Sequence, residues 1–154
     1  MVDPKEIAIE VEKFNLWYGD FQALFDVDTS IKKGIITSLI GPSGCGKSTL
    51  LRSMNRIIDR LGYVKTTGNI RVLQQDIFHQ DVELVQLRRH VGMVFQRPNP
   101  LPLSIRENIL FGHQLHSHKK FTKQEGDEIV ENALQKVLLW DKTKDRLNDS
   151  ALSL

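Results

Sequence analysis

An α/β chain is predicted here on three observations. A glycine-rich loop, Gly41-Pro42-Ser43-Gly44-Cys45-Gly46-Lys47-Ser48-Thr49, separates an apolar run from a helical pattern. Alternating apolar residues mark strands on either side of that loop. Beyond Pro98 the patterns become helical.

The elements follow in order. Ile7, Ile9 and Val11 alternate with polar or small neighbours and read as a strand. Phe25, Val27, Thr29 and Ile31 do so again, with Asp26, Asp28 and Ser30 on the other face. Lys32-Lys33-Gly34 is a turn into a buried strand at 35–40, Ile-Ile-Thr-Ser-Leu-Ile. After the glycine loop, Leu50, Leu51, Met54, Ile57 and Ile58 share one helical face. Thr66-Thr67-Gly68-Asn69 reads as a turn, and Ile70 and Val72 as a strand. Leu84, Val85, Leu87 and Arg88 suggest a short helix, and Val91–Phe95 a compact buried strand. Pro98-Asn99-Pro100-Leu101-Pro102 is an extended, helix-breaking loop. Ser104 with Glu107 forms a capping box for a helix through about Phe111. Thr122 with Glu125 forms another, ahead of Ile129, Val130, Ala133, Leu134, Val137 and Leu138 at helical spacing. Trp140 to Leu147 reads as one more short helix. The chain thus divides into an α/β part to residue 97 and a helical part over 98–154.

Composition narrows the function. A chain of 154 residues can bury a real core. A formal net charge of +2 is too small to argue for nucleic acid or an anionic membrane. There is no run of 18 or more apolar residues to span a bilayer. Met1–Glu6 has no apolar signal region, which favours the cytoplasm. The single cysteine, Cys45, has no internal disulfide partner, in keeping with a reducing compartment. It reads as a small residue tolerated in the loop.

The loop itself carries the chemistry. It fits G-x-x-x-x-G-K-[ST], whose fixed positions arise by chance in about half a percent of chains this long. A preceding strand and a following helix are the context it needs. Glycines let the backbone wrap phosphate oxygens with N–H groups pointing inward. The N-terminal end of the following helix favours negative charge. Lys47 is placed to reach the β- and γ-phosphates, and the Ser48 hydroxyl to ligate Mg²⁺. His113, His116 and His118 invite a metal reading, but they lack carboxylate or cysteine support and fall in a polar stretch between helices. Lys119-Lys120 and Lys123 read as a solvated helix entrance, and the pair Arg88-Arg89 as facing water or a membrane subunit.

With these residues in view, the chain resembles the N-terminal part of an ABC-transporter ATPase. The resemblance implies that the phosphate loop Gly41–Thr49 binds ATP and Mg²⁺. It puts Tyr18, ahead of that loop, where the family stacks adenine, with Trp17 a close rival. It makes Gln96 the Q-loop glutamine, touching Mg²⁺ and water near the γ-phosphate. Ser53-Met54-Asn55-Arg56, Val91 through Gln96-Arg97-Pro98-Asn99-Pro100, Leu139-Trp140-Asp141 and Lys144-Asp145-Arg146-Leu147 are similar to the phosphate-import branch of the family. Arg97 and Leu101 stand where Lys and Phe are more usual. The resemblance implies an incomplete P-loop NTPase domain of the ABC type, with an antiparallel β portion and a helical subdomain. Residues 1–97 are then the N-terminal part of the ATPase core, from P-loop to Q-loop. Residues 98–154 are a helical subdomain truncated before the family's signature, of which Leu154 is the first residue.

The same resemblance implies a peripheral subunit on the cytoplasmic face of the plasma membrane. Its partners are integral-membrane permease subunits of a phosphate importer and a second ATPase subunit, paired head to tail. A phosphate-binding protein is an indirect partner. Pro98–Ile109 is either a permease groove, with Leu101, Leu103 and Ile105 as apolar contacts and Arg106 as rim, or a connector between subdomains. A truncated relic without a transport role, and an ATPase for another solute, are the competing readings. An unrelated kinase or GTPase is opposed by Tyr18, Gln96 and the helical segment after Gln96, and no Asn-Lys-x-Asp is present.

The signature, the Walker B aspartate, the catalytic glutamate and the switch histidine have no counterparts among the 154 residues. Without them, strand 35–40 is expected to lack neighbours and expose apolar faces. Nothing present positions or activates the attacking water. The chain by itself is therefore expected to show no ATP turnover above background in a phosphate-release assay. Steady turnover abolished by Lys47→Ala contradicts that expectation.

Overall fold

The computed structural model describes residues 6–117 and 121–153, with the side chains of His116 and Ser117 left undescribed. The chain forms two compact units, Met1–Val94 and Phe95–Leu154.

The first unit is built on a four-stranded sheet of β1 (Ile7–Tyr18), β2 (Phe21–Lys32), β3 (Val64–Val72) and β4 (Gln75–Asp76). The strand order is β2-β1-β3-β4 and each pairing is antiparallel. Gly19 and Asp20 turn β1 into β2, with Gly19 at φ 57°. Both strands are longer than their alternation predicts because β1 is hydrogen-bonded on both sides.

Residues 66–69 correct the expectation of a turn. They lie inside β3, where Thr66 pairs with Leu16, Thr67 with Asn15 and Asn69 with Glu12. The turn-forming glycine is used instead for a bulge. Gly68 has φ +80°, and a Cβ there would lie 2.1 Å from the Lys13 carbonyl oxygen. Lys13 itself has φ 43° and Asp26, on β2, φ 39°. The Asn15 side-chain amide donates to Asp26 Oδ1 at 2.9 Å and to the Lys13 carbonyl at 3.0 Å, holding the irregular backbone in place.

One face of the sheet is covered by α1 (Lys47–Ser53), a 3₁₀ turn at Ile57–Leu61 and α2 (Leu84–His90). Phe14, Leu16, Ile58, Ile70 and Ile77 are fully buried in this core, with Leu50, Met54 and Leu87 beside them. Each such side chain contributes on the order of 1.5–3 kcal/mol. The Phe14 and Phe78 rings stack with centroids 5.7 Å apart. Leu50, Met54 and Ile58 keep the spacing expected of one face, but Leu51 is exposed. Nor is 50–58 one continuous helix, since α1 ends at Ser53 and Arg56 at φ 55° resets the phase before the 3₁₀ turn.

The strands expected at 35–40 and 91–95 do not form, while the expected exposure of the 35–40 apolar faces is observed. Ile36, Ile40 and Val94 are 98%, 91% and 99% exposed. A run apolar on both faces becomes a strand only when neighbours satisfy its backbone and cover both sides. Among the described residues neither segment has such a neighbour, so the hydrophobic pattern finds no sheet to join.

The second unit consists of α3 (Ile105–Ser117), α4 (Lys123–Lys136) and α5 (Trp140–Thr143), which runs on as a 3₁₀ turn at Lys144–Arg146. The single helix expected over 140–147 is thus split. Leu110, Val130 and Leu134 form its core, with Ile109, Ile129, Trp140 and Leu147 packed around them. Both expected capping boxes are present. Thr122 and Glu125 exchange side-chain bonds to each other's backbone N–H. Ser104 N–H and Oγ donate to Glu107 at 2.9 and 2.7 Å, and Glu107 N–H donates to Ser104 Oγ. Helix α3 extends past Phe111 and takes in His113 and His116, correcting the inter-helix loop expected there. His118, Lys119, Lys120 and Leu154 lie outside the described residues. The chain returns beside the start of α3 through Ile105 N–H to Asp149 O and Ala151 N–H to Leu103 O.

Two of the residues expected to face a permease from Pro98–Ile109 are engaged within this unit. Ile105 is buried within this unit, and Arg106 is paired with Asp127. Of the expected apolar contacts, Leu101 is exposed and Leu103 half-buried.

Two outcomes test these arguments. Gly62 has φ +73° with open space around it, whereas Gly68 at φ +80° abuts the Lys13 backbone. Replacement by alanine costs both positions about 1–2 kcal/mol for the left-handed backbone. Gly68→Ala is expected to lose clearly more in urea denaturation; equal losses contradict the bulge packing. The Ser104 backbone N–H, and then its hydroxyl, hold the Glu107 carboxyl below its usual range. A lowered folded value means stabilisation present above the unfolded carboxylate pKa of about 4.3 and lost as pH falls through the folded value. Wild type should therefore exceed Glu107→Gln in stability at neutral pH, and the gap should close on acidification below that range.

Candidate functional site

The glycine loop leads from the exposed 35–40 segment into α1, and its shape follows from its contact with β2. Gly46 sits at φ 94°, ψ 0° as the residue before the helix. A Cβ at that position would lie 2.6 Å from Leu24 Cδ2 and 3.2 Å from the Ala23 carbonyl oxygen. Glycine is required here twice over, for the left-handed backbone and for the close approach to β2. Gly44 is also left-handed, at φ 82°. Cys45 N–H reaches back to Pro42 O at 3.4 Å, and Leu50 N–H to Gly46 O at 2.9 Å starts the helical ladder.

Lys47, the first residue of α1, folds back over the loop. Its Nζ donates to Gly41 O at 2.8 Å and to Pro42 O at 2.6 Å, with Cys45 Sγ at 3.5 Å. The ammonium is thus held at the inner edge of the loop by neutral carbonyls. Residues 41–49 contain no carboxylate to neutralise it. An anion brought to this loop meets a half-buried cation whose present partners carry no charge. The residues fit a phosphate group on that ground. Ser48, next in the chain, presents an exposed hydroxyl, a hard oxygen donor of the kind Mg²⁺ takes.

Of the other expected site residues, Tyr18 is brought to the loop. It ends β1, and its hydroxyl lies 3.2 Å from Thr49 Oγ1. Its ring is tilted against Tyr63, with centroids 6.2 Å apart. Trp17, the neighbouring aromatic, is half-buried at the same strand end. Pro42 and Ser43 are exposed on the loop. Gln96 is exposed in a bend at the start of the second unit. His113 meets Phe121 edge-on at 6.4 Å. Among the described residues, no three His, Cys, Asp or Glu gather into a group that could hold a metal ion.

A polar cluster at the far end of α1 is missing from the sequence-based site. Asn55, 3% exposed, donates through Nδ2 to Val91 O at 3.4 Å and accepts from Ile57 N–H at 3.2 Å. Arg88 donates to Asn55 O at 3.3 Å and Arg56 O at 3.0 Å, correcting the expectation that it faces water or a membrane subunit. Arg56 bonds Asp59 and Ile77 O and lies over the Phe78 ring. No local signal marks this cluster, because Arg88 and Val91 lie more than thirty residues from the Asn55-Arg56 pair they meet.

The loop and the helix after it keep the phosphate-loop pattern, although no strand leads directly into them among the described residues. Compared with known families, the chain matches the ABC transporter over residues 24–154, and it belongs to that family. It is 45% identical over 151 residues to the phosphate import ATP-binding protein PstB of Bacillus cereus, covering 98% of this chain and 55% of that protein. It is 49% identical over 149 residues to PstB of Borreliella afzelii, covering 97% and 56%. It is 47% identical over 150 residues to PstB 1 of Vibrio parahaemolyticus, covering 97% and 54%. The chain spans about half the length of these curated relatives. The family expected from the phosphate loop is borne out, and the relatives carry the phosphate-import name that the Met54-Asn55-Arg56 and Pro98-Asn99-Pro100 stretches suggest. No helix among the described residues is long and apolar enough to cross a membrane.

Proposed function

We propose that this chain supplies the ATP-binding half-site of the ATPase subunit of an ABC importer for inorganic phosphate. The observation that carries the reading is Lys47, poised on the carbonyls of a glycine loop in a chain of this family. In this reading the ammonium exchanges neutral carbonyls for the β- and γ-phosphate oxygens of ATP, a stronger charge-assisted contact. The backbone of Gly41–Thr49 wraps the phosphates. The Ser48 hydroxyl would ligate Mg²⁺, which when bound neutralises phosphate charge. Tyr18 supports the adenine end, its hydroxyl steadied by Thr49.

The relatives' printed names support phosphate as the imported solute. The partners proposed are the importer's membrane-embedded permease subunits, a second ATPase subunit in head-to-tail pairing and, indirectly, a phosphate-binding protein. The subunit is proposed to sit peripherally on the cytoplasmic face of the plasma membrane.

MgATP titration of wild type and Lys47→Ala tests the nucleotide reading. Loss of the charged contact costs roughly 1.5–3 kcal/mol, or at least tenfold in affinity. Equal affinities reject the assignment. For the solute, the chain is joined to the C-terminal half of a phosphate-importing relative and expressed in cells lacking their own ATPase. Restored phosphate uptake is expected. Rescue of a different importer but not the phosphate one overturns the phosphate reading and leaves family membership standing.

A further inference from the structure

We propose that Arg88 and Asn55 form a clamp that ties the phosphate-loop helix to the segment leading into Gln96, making them positioning residues for the nucleotide response. The proposal rests on the nucleotide reading above. Helix α1 has Lys47 and Ser48 at one end and hands over to Asn55 and Arg56 at the other. At seven residues it is about 10 Å long, and Leu50 and Met54 pack it into the core. Such an element moves as one piece, so a shift at the loop appears at its far end.

That far end is held by polar contacts rather than by apolar packing alone. Arg88 belongs to α2, and its guanidinium spans the Asn55 and Arg56 carbonyls through Nε and Nη2. Helix α2 in turn caps on Val91, whose N–H donates to Leu87 O at 2.9 Å. Asn55 reaches the same residue directly, from its Nδ2 to Val91 O. The backbone of Val91 is therefore tethered to the end of α1 by two routes, one through Arg88 and α2 and one through the buried Asn55 amide. Beyond Val91 the tether stops. Val94 is almost wholly exposed, and Gln96 follows two residues later. The backbone position at Val91 is thus set by groups that answer to α1. The planar fork of arginine suits paired carbonyls, whereas a lysine reaches one of them at a time.

Amide hydrogen exchange on the 154-residue chain, with and without MgATP, tests the clamp. In wild type, MgATP is expected to slow exchange several-fold both in the loop and in the amides of residues 91–94. Arg88→Met keeps the side-chain stem and removes the donors. It should bind MgATP within a factor of about two of wild type, keep the loop response and lose the response at 91–94. Arg88→Lys should recover part of it. A merely structural role would alter the basal exchange of 91–94 but leave its nucleotide-dependent difference in place. Should Arg88→Met fail to fold, Asn55→Asp provides the same comparison, since it keeps the acceptor for Ile57 N–H and loses the donor to Val91. A wild type that binds MgATP with no change at 91–94, or a clamp variant that retains the full change, overturns the clamp and leaves the nucleotide reading intact. Wild type that does not bind MgATP overturns both.

Discussion

The close seating of Gly46 on β2 is the constraint on which the rest of the first unit depends. With no side chain at that position, the start of α1 lies against Ala23 and Leu24. That contact fixes where the helix begins, and so which of its residues turn inward. Leu50 and Met54 then enter the core beneath the sheet, and Lys47 is left to arch back over the loop. The loop's chemistry and the unit's hydrophobic core are consequences of one approach between backbone and sheet. A methyl group there would have to displace Leu24, itself part of the core.

The sheet supplies the rigidity that this seating needs. β1 is bonded along both edges, and its irregular middle is secured by side chains rather than left loose. Asn15, Asp26 and Asp28 occupy hydrogen bonds that a regular ladder would have provided. β1 carries its extra residue at Lys13 and Phe14, opposite the single Gly68 of β3, which leaves room for the displaced backbone. A platform of this kind can hold a helix N-terminus at fixed distance while the loop before it remains exposed.

Much of this was legible in the sequence, and the exceptions have physical causes. The phosphate loop, both capping boxes and the helical spacing of α4 depend on near neighbours, and local chemistry specifies them. Residues 35–40 and 91–95 carry as clear an apolar pattern, yet they are not strands, because a strand requires partners that no local pattern can announce. Thr66–Asn69 reads as a turn from composition, but long-range pairing with β1 overrides the local preference. In the candidate site, Lys47 and Ser48 are singled out by the motif alone. Arg88 was misjudged because a charged residue beside another suggests solvent, while the carbonyls it serves lie more than thirty residues earlier. Arg106 illustrates the same point, since its partner Asp127 belongs to another helix.

The central claim is that the seating of Gly46 builds the loop that receives phosphate. It is tested most directly by backbone amide shifts of the isotopically labelled chain during MgATP titration, in wild type and in Gly46→Ala. The account predicts that the largest shifts fall within residues 41–49 in wild type and disappear in Gly46→Ala. Largest shifts outside the loop, or an undiminished loop response in a folded Gly46→Ala protein, would contradict it.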